Sequence, residues 1–555
     1  MAHFDDSRTN ANISNLHHRE EERVIALLAP TYGYQYINLD GVSIDIDALK
    51  SIPEEDAKRA EIAIFARTDS QVSVAVRNPK NSELPPILER IQGMGHTPTL
   101  YLASLQSILI AWEHYHDVEK AVAEVRGVLG VDQKMIEEFM NTIHSHFDVG
   151  NLLMGAQNKT NVERTTKIIE VLFGGALALK ASDVHIEPEV RSTRIRYRLD
   201  GMLTDIGTIE REATPQVISR FKLLSGLKLN TRSESQDGRF TFDVGTRKVE
   251  IRTSVIPGAL GESIVMRLLD PNSANFNIES LGLNARMHEI ITQELKRPNG
   301  SIVTTGPTGS GKTTALYSFL QTVHTPELKI ITLEDPVEYK LPGIVQIQVS
   351  KNYTFASGLR SVLRQDPDVI LVGEIRDSEV AETVVHAALT GHLVFSTLHT
   401  NSAAAAFARL IDLGVDSRMF GSAFNIILGQ RLVRVLCEHC KVERPITTNQ
   451  QKMIHRVLET PIAIHSVFEA KGCEACGMSG YKGRVGVFEA ILIDEAVENA
   501  VLSDAREHII LEAAKPQKIP TMQQDGLYKV LAGITSLDEL SRVLGLYDEF
   551  WGVVA

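Results

Sequence analysis

Gly306-Pro-Thr-Gly-Ser-Gly311-Lys312-Thr313 follows the apolar run Ser301–Thr304 and precedes helical patterning from about Thr314. This octet fits G-x-x-x-x-G-K-[ST] in full, in the strand-then-helix setting that the pattern requires. Glycine lets the backbone curl so that successive N–H groups turn inward toward phosphate oxygens. The helix that follows adds partial positive charge at its N-terminus. The reading makes Gly306, Pro307, Thr308, Gly309, Ser310, Gly311, Lys312, Thr313 and Thr314 a cradle for nucleotide phosphates. Lys312 is placed to reach the β- and γ-phosphates, and the Thr313 hydroxyl to ligate Mg²⁺.

Around the loop, short apolar strands alternate with helices: Ser301–Thr304, Ile330–Leu333, Val369–Val372 and Leu393–Ser396. Near-continuous apolar strands of this kind belong in a buried parallel sheet, so the fold class is α/β. Two of them end in carboxylates, at Ile330-Ile-Thr-Leu-Glu334-Asp335 and Val369-Ile-Leu-Val-Gly373-Glu374. Open α/β sheets bind ligands at the carboxyl ends of their strands. Acids there can hold a metal ion or orient and deprotonate water. Gly373 stands where many phosphate-loop enzymes carry the metal-holding Asp, so Glu334 and Glu374 must divide the metal and water roles, in either order. Among 18 histidines, His392 and His399 flank the strand that begins at Leu393 and are read as facing the phosphate end of the sheet. A hydrogen-bonded core histidine is the alternative.

The four cysteines form two pairs, Cys437-x-x-Cys440 and Cys473-x-x-Cys476. Two C-x-x-C pairs that exhaust the cysteine count fit a closed tetrahedral Zn²⁺ site of structural type. A reduced metal-free site or a redox dithiol are the alternatives.

Length and charge bound the rest. At 555 residues the chain exceeds one hydrophobic core. Its 43% hydrophobic and 23% charged content are ordinary for a globular protein. The net charge of −13 argues against nucleic-acid binding through a general basic field. The longest apolar run, near Leu100 to Trp112, is shorter than the roughly 20 residues of a membrane span, and the polar N-terminus is no signal peptide. A cytoplasmic protein is expected. The layout reads as a flexible tail (1–20), a mixed α/β unit (21–148), a polar linker (149–161) and a second unit (162–275). An ATP-binding core (285–435), a cysteine module (436–486) and a helical C-terminal segment (487–555) follow. Within the first unit, Glu61–Arg67 and Val72-x-Val74-x-Val76 around Thr68-Asp69-Ser70 predict a hairpin. In the second, Thr193–Leu199 alternates Arg194, Arg196 and Arg198 on one face and ends in an Asp200-Gly201 turn.

From about Glu21 to Leu544 the chain resembles the type II secretion and type IV pilus assembly ATPases. The most specific stretch is Leu363-Arg-Gln-Asp-Pro-Asp-Val-Ile-Leu-Val-Gly-Glu-Ile-Arg-Asp377, similar to that family's signature segment. Ala181-Ser-Asp-Val-His-Ile-Glu187 and Gln236-Asp-Gly-Arg-Phe240 resemble its second N-terminal domain. Glu334-Asp335-Pro-Val-Glu338 resembles its aspartate box, and Gly391-His392 through His399-Thr-Asn401 its histidine box. Met522-Gln-Gln-Asp525-Gly526 resembles its closing segment.

The resemblance implies a RecA-like ATPase core preceded by a PAS-like domain and an N-terminal docking domain, arranged in a homo-hexameric ring. ATP turnover would drive assembly of pilus or secretion pseudopilus fibres through an inner-membrane platform protein and a cytoplasmic adaptor. Membrane contact would come only through those partners, at the inner-membrane face, and no nucleic acid is expected. It also places Arg252, Arg267, Arg360 and Arg364 at positions of phosphate-directed arginines, and Asp335 beside the nucleotide; Arg360 and Arg364, four apart, are read on one helix face. The first domain of relatives docks onto the platform and in some binds a cyclic dinucleotide; the Arg-Leu-Gly plus leucine-repeat pattern of such binders is not found ahead of this one, so docking is expected. A nucleic-acid translocase on the same core fold and a pilus retraction motor are the alternatives. Retraction members generally lack both the long N-terminal region and the tetracysteine module.

Overall fold

The computed structural model describes residues 21–546, except 40–41, 43, 50, 68–70, 95, 125–127, 131–132, 159–160, 245–246, 272–275 and 351. The expected tail (1–20) and the Thr68-Asp69-Ser70 turn lie outside the described residues. The chain divides into two compact units, 1–128 and 129–555.

In the first unit a four-stranded sheet runs in the order Gln35–Tyr36, Thr97–Leu102, Gln71–Val76, Ile62–Arg67. The expected hairpin partners, Ile62–Arg67 and Gln71–Val76, pair antiparallel. Their inward residues Ile62, Ile64, Val74 and Val76 meet Leu84, Ile87 and Ile91 of the helix Leu84–Gly93 in one apolar core.

The second unit begins at residue 129, and one of its helices occupies most of the expected linker. Residues 149–157 are helix: His146–Gln157 is capped by Ser145, whose hydroxyl accepts from the Asp148 N–H, and it buries Val149, Leu153 and Ala156. These apolar residues recur at helical spacing and join the core of the following domain. The polar Gln157-Asn158 end hides that stripe in the sequence, and the first boundary falls near 128 rather than 148.

That domain is built on an antiparallel sheet whose strands lie in the order Gln236–Val244, Arg247–Gly258, Gly261–Leu269, Asp183–Pro188, Ser192–Leu199, Met202–Glu210. One face carries Phe240, Phe242, Ile251, Ile264 and Tyr197 into a core with Phe173 and Phe221. Phe173 sits 5.2 to 5.7 Å, centroid to centroid, from the rings of Phe221, Phe240 and Phe242. The other face carries the polar residues. The Asp200-Gly201 turn has both residues at positive φ (46° and 84°), as a tight two-residue hairpin requires.

The four predicted parallel strands are all present, within one or two residues at each end. They belong to a seven-stranded sheet ordered Val345–Gln348, Ile330–Glu334, Val369–Val372, Leu393–Leu398, Gly300–Thr305, Phe424–Leu436, Tyr481–Leu492. The first six are parallel, each to its neighbour. Val303, Ile331, Leu333, Ile370 and Val394 point into one core, against Phe355–Val362 and Ser378–Leu389. Ile302, Ile330, Leu371 and Phe395 point into a second, against Ala285–Glu294 and Lys312–Val323. Covered on both faces, the strands read as continuous apolar runs.

The C-terminal division at 435/436 and 486/487 does not survive. Phe424–Leu436 and Tyr481–Leu492 pair antiparallel along their length. The cysteine module is therefore an excursion from one long hairpin of the ATPase sheet, and residues 487–492 are strand rather than helix. The module shares a core with the last two helices, where Met453, Ile454 and Leu458 meet Leu527, Val530 and Leu540.

Candidate active site

The phosphate loop leaves the central strand Gly300–Thr305 at Gly306, whose φ is 153°. A Cβ there would meet the Gln430 carbonyl oxygen at 2.5 Å and Ser310 Oγ at 2.6 Å, so only glycine fits. Pro307, Thr308 and Gly309 form an exposed lip. The helix then begins at Lys312, two residues earlier than the sequence suggested. Among the described residues no side chain caps its first turn, which leaves those N–H donors free for an anion. Ser310 Oγ and Gln430 Oε1 are buried beside the loop without a hydrogen-bond partner among the described residues. Unpartnered donors and polar atoms around a glycine-bounded hollow are what a phosphate chain would satisfy.

The Lys312 side chain is buried, and its ammonium donates to the Gly306 carbonyl at 2.6 Å and the Pro307 carbonyl at 3.2 Å. Burial pushes its pKa down to about 8; the charge of Glu374 opposes this and that of Arg431 adds to it. Thr313 and Thr314 are exposed in the first helical turn.

The two strand-end carboxylates have different surroundings. Glu334 is buried and accepts from the Tyr317 hydroxyl, from Thr332 Oγ1 at 2.6 Å and from Gln346 Nε2 at 3.1 Å. Glu374 is partly open and surrounded by cations. Arg376 lies 2.6 Å from one oxygen and His399 3.4 Å from the other. Burial pushes Glu374 up, but the Arg376 hydrogen bond and the charges of Arg376, His399 and Lys312 outweigh it and hold the carboxyl below its usual range. It is ionised at neutral pH. Arg376 also reaches Asp335, at 3.4 Å.

The other expected residues scatter more widely. His399 joins the site; His392 does not. It precedes its strand, at the edge opposite the phosphate loop, where its ring bonds the Ala387 carbonyl at 3.0 Å. In a parallel sheet the start and the end of a strand lie on opposite edges, so flanking histidines cannot share a site. Arg252 reaches across from the antiparallel sheet to the aspartate-box segment, bonding Glu338 at 2.8 Å and the Val337 carbonyl at 2.6 Å. Arg267 is held by Asp183 at 3.0 Å. Arg360 and Arg364 do not lie in one α-helix. The helix Phe355–Val362 gives way to a 3₁₀ turn, Leu363–Gln365, whose Arg364 donates to the Arg360 carbonyl at 2.9 Å. Arg360 pairs with Glu379 at 2.7 Å.

Sequence reasoning missed Arg431. Its strand lies directly beside the loop strand, and its guanidinium donates to the Asn401 carbonyl at 2.8 Å, tying the loop after His399 to the phosphate loop's floor. Thr305 and Thr400 hydroxyls meet at 2.7 Å in the same seam. Gln430-Arg431 could have been found only by recognising Phe424–Leu436 as a strand of this sheet.

The four thiols come together. All four Sγ atoms lie within 4.8 Å of one another. The recorded pairs are 3.9 Å (Cys437–Cys473), 3.8 Å (Cys440–Cys476) and 3.8 Å (Cys473–Cys476). A tetrahedron with Zn–S bonds of about 2.3 Å has an edge of about 3.8 Å, so the donor set and its spacing fit zinc. The Gly480 N–H donates to Cys476 Sγ at 3.2 Å, as thiolate-bearing knuckles do.

No helix among the described residues is long and apolar enough to cross a membrane. The family model described as type II/IV secretion system protein matches residues 158–542, and a second, the MshEN domain, matches 32–122. The type II secretion system ATPase E of Vibrio cholerae is 42% identical over 68% of this chain and 75% of its own length. The type IV pilus assembly ATPase PilB of Pseudomonas aeruginosa is 33% identical over 93% of this chain and 90% of its own. Among solved structures, the ATPase DotB of Yersinia pseudotuberculosis shares the fold, with a TM-score of 0.51 and 21% identity over 70% of this chain and 95% of its own. With its family model covering most of the chain, from the antiparallel domain through the closing helices, the protein is a P-loop ATPase and belongs to the type II/IV secretion system protein family.

Proposed function

We propose that this ATPase works as a hexameric ring at the cytoplasmic face of the inner membrane, powering assembly of pilus or secretion pseudopilus fibres through a platform protein and its adaptor. The observation that carries the reading is the convergence of Lys312, Glu374, His399 and Arg376 at the carboxyl edge of the parallel sheet. Two named relatives support the direction of work: one is a secretion ATPase, and the other, aligned along the N-terminal unit as well, is a pilus assembly ATPase.

In this reading the loop N–H groups and Lys312 bind the phosphate chain, exchanging the ammonium's present bonds to loop carbonyls for phosphate oxygens. The Thr313 hydroxyl and a strand-end carboxylate would hold Mg²⁺, which neutralises charge on the β- and γ-phosphate oxygens when bound. Glu374, ionised and open, orients the attacking water and accepts its proton. His399 and Arg376 fix the carboxylate's orientation. Glu334, locked by three donors, braces the strand end and would be the carboxylate on the metal side when Mg²⁺ is bound. Arg252 and Arg267 reach the terminal phosphate as the two lobes close, and Arg360 and Arg364 act across the ring. The four cysteines would hold a structural Zn²⁺ that closes the hairpin excursion.

The test is ATP turnover by the purified protein with the platform protein's cytoplasmic domain and, separately, with single-stranded DNA. Several-fold stimulation by the first and none by the second supports the reading. Stimulation by DNA alone overturns it in favour of a nucleic-acid translocase.

A further inference from the structure

The polar face of the antiparallel sheet carries a row that the sequence does not reveal. Across neighbouring strands Arg239 pairs with Arg252, Arg252 with Arg267, Arg267 with Asp183, and Asp183 with Arg198. Directly opposed residues stand about 5 Å apart, where like charges destabilise a sheet. Three consecutive guanidiniums in such positions need an anionic partner. Two of them have one: Glu338 holds Arg252 at 2.8 Å, and the buried Asp183 holds Arg267 at 3.0 Å while also pairing with Arg198 at 3.3 Å. Arg239 is exposed, and its guanidinium makes no hydrogen bond or ion pair among the described residues.

All three arginines line one open cavity of about 690 Å³, together with Pro336, Val337, Glu338, Tyr339 and Lys340. That segment continues directly from Glu334. Asp237 and Glu250 also line the cavity, and Glu250 stands 3.5 Å from Arg252. A guanidinium fork matches phosphate oxygens and pairs with them bidentately. Phosphate entering this cavity would replace carboxylate partners for Arg252 and Arg267, and would be the first strong partner for Arg239.

We propose that Arg239 is a third phosphate-directed arginine, completing with Arg252 and Arg267 a three-guanidinium row that takes the terminal phosphate of ATP when the lobes close. The inference rests on the ATPase reading above and adds to it a residue that neither the loop motif nor the carboxylates point to. Arg239 acts on the γ-phosphate, so its loss spares ADP.

The experiment compares Arg239→Gln and Arg239→Lys with wild type in the assembled protein, with Arg418→Gln as a surface control. Arg239→Gln is expected to lower kcat/KM for ATP about tenfold and to weaken binding of the β,γ-imido analogue of ATP to a similar degree, with ADP affinity and Tm unchanged. Arg239→Lys, which keeps the charge but not the fork, is expected to recover part of the loss. Turnover by Arg239→Gln within twofold of wild type overturns the proposal. So does a parallel loss of ADP and analogue binding with a lowered Tm, which marks a structural role. A wild-type protein that hydrolyses no ATP overturns both this proposal and the reading beneath it.

Discussion

Two sheets in the second unit solve the placement of charge differently. The parallel sheet is covered on both faces, so its functional groups can stand only at strand ends, and Lys312, Glu334, Glu374 and His399 all gather at one edge. The antiparallel sheet has one face on its core and one open, so its charge runs across the strands as a row, Arg239, Arg252, Arg267, Asp183 and Arg198. An edge built from strand ends gathers groups that each follow an apolar run, and a face gathers groups that only register brings together. The first arrangement suits a fixed catalytic centre. The second suits a surface that meets the centre when lobes move.

Substitutions on the two sheets test that contrast. The largest effect belongs at the edge: Lys312→Ala should lower ATP turnover about a thousandfold, measured at saturating ATP. Retained turnover would remove the loop from the mechanism. Next comes the excursion from the sheet. Zinc assay should find one ion per chain, released by thiol modification, with Tm for the module's transition lowered by roughly 10 °C while nucleotide binding persists. Loss of nucleotide binding together with the metal would mean that the module and the edge fold as one.

A smaller effect separates the two edge carboxylates. Glu334→Gln should cost about 1–3 kcal/mol in denaturant titration, because a buried acceptor of three donors is disturbed. Lys312 adds a pH signature. Its folded pKa, about 8, lies below the usual lysine value, so the charged ammonium is disfavoured in the folded nucleotide-free protein. That penalty is complete below about pH 8 and fades as pH rises from there toward the unfolded value. Lys312→Met should therefore stabilise the nucleotide-free protein at pH 7 and lose that advantage by about pH 10. An advantage that grew with pH would contradict the burial argument. The smallest change is His392→Ala, at the sheet edge away from the loop, which should alter turnover less than about twofold.

The same contrast explains what could be read in the sequence. The phosphate loop, Glu334 and Glu374 each follow an apolar run, so local pattern located them and the four strands before them. The tetracysteine set was equally plain, because spacing alone names the ligands. His392 was misplaced because proximity in sequence to a strand does not say which edge a residue occupies. Arg431 was invisible because Phe424–Leu436 was not recognised as the strand beside the loop. Arg239 lies 13 positions from Arg252, and Arg252 lies 15 from Arg267, and only strand pairing makes them neighbours. Residues 149–157 read as linker because the polar end of their helix hides Val149, Leu153 and Ala156, whose burial depends on a core contributed by distant strands.

The central claim is that Glu374, held ionised among Arg376, His399 and Lys312, serves as the group that activates water for attack on ATP. Single-turnover hydrolysis by Glu374→Gln tests it directly. ATP should still bind with near wild-type affinity while the hydrolytic step slows by about 10² to 10⁴. Hydrolysis at the wild-type rate in that variant would contradict it.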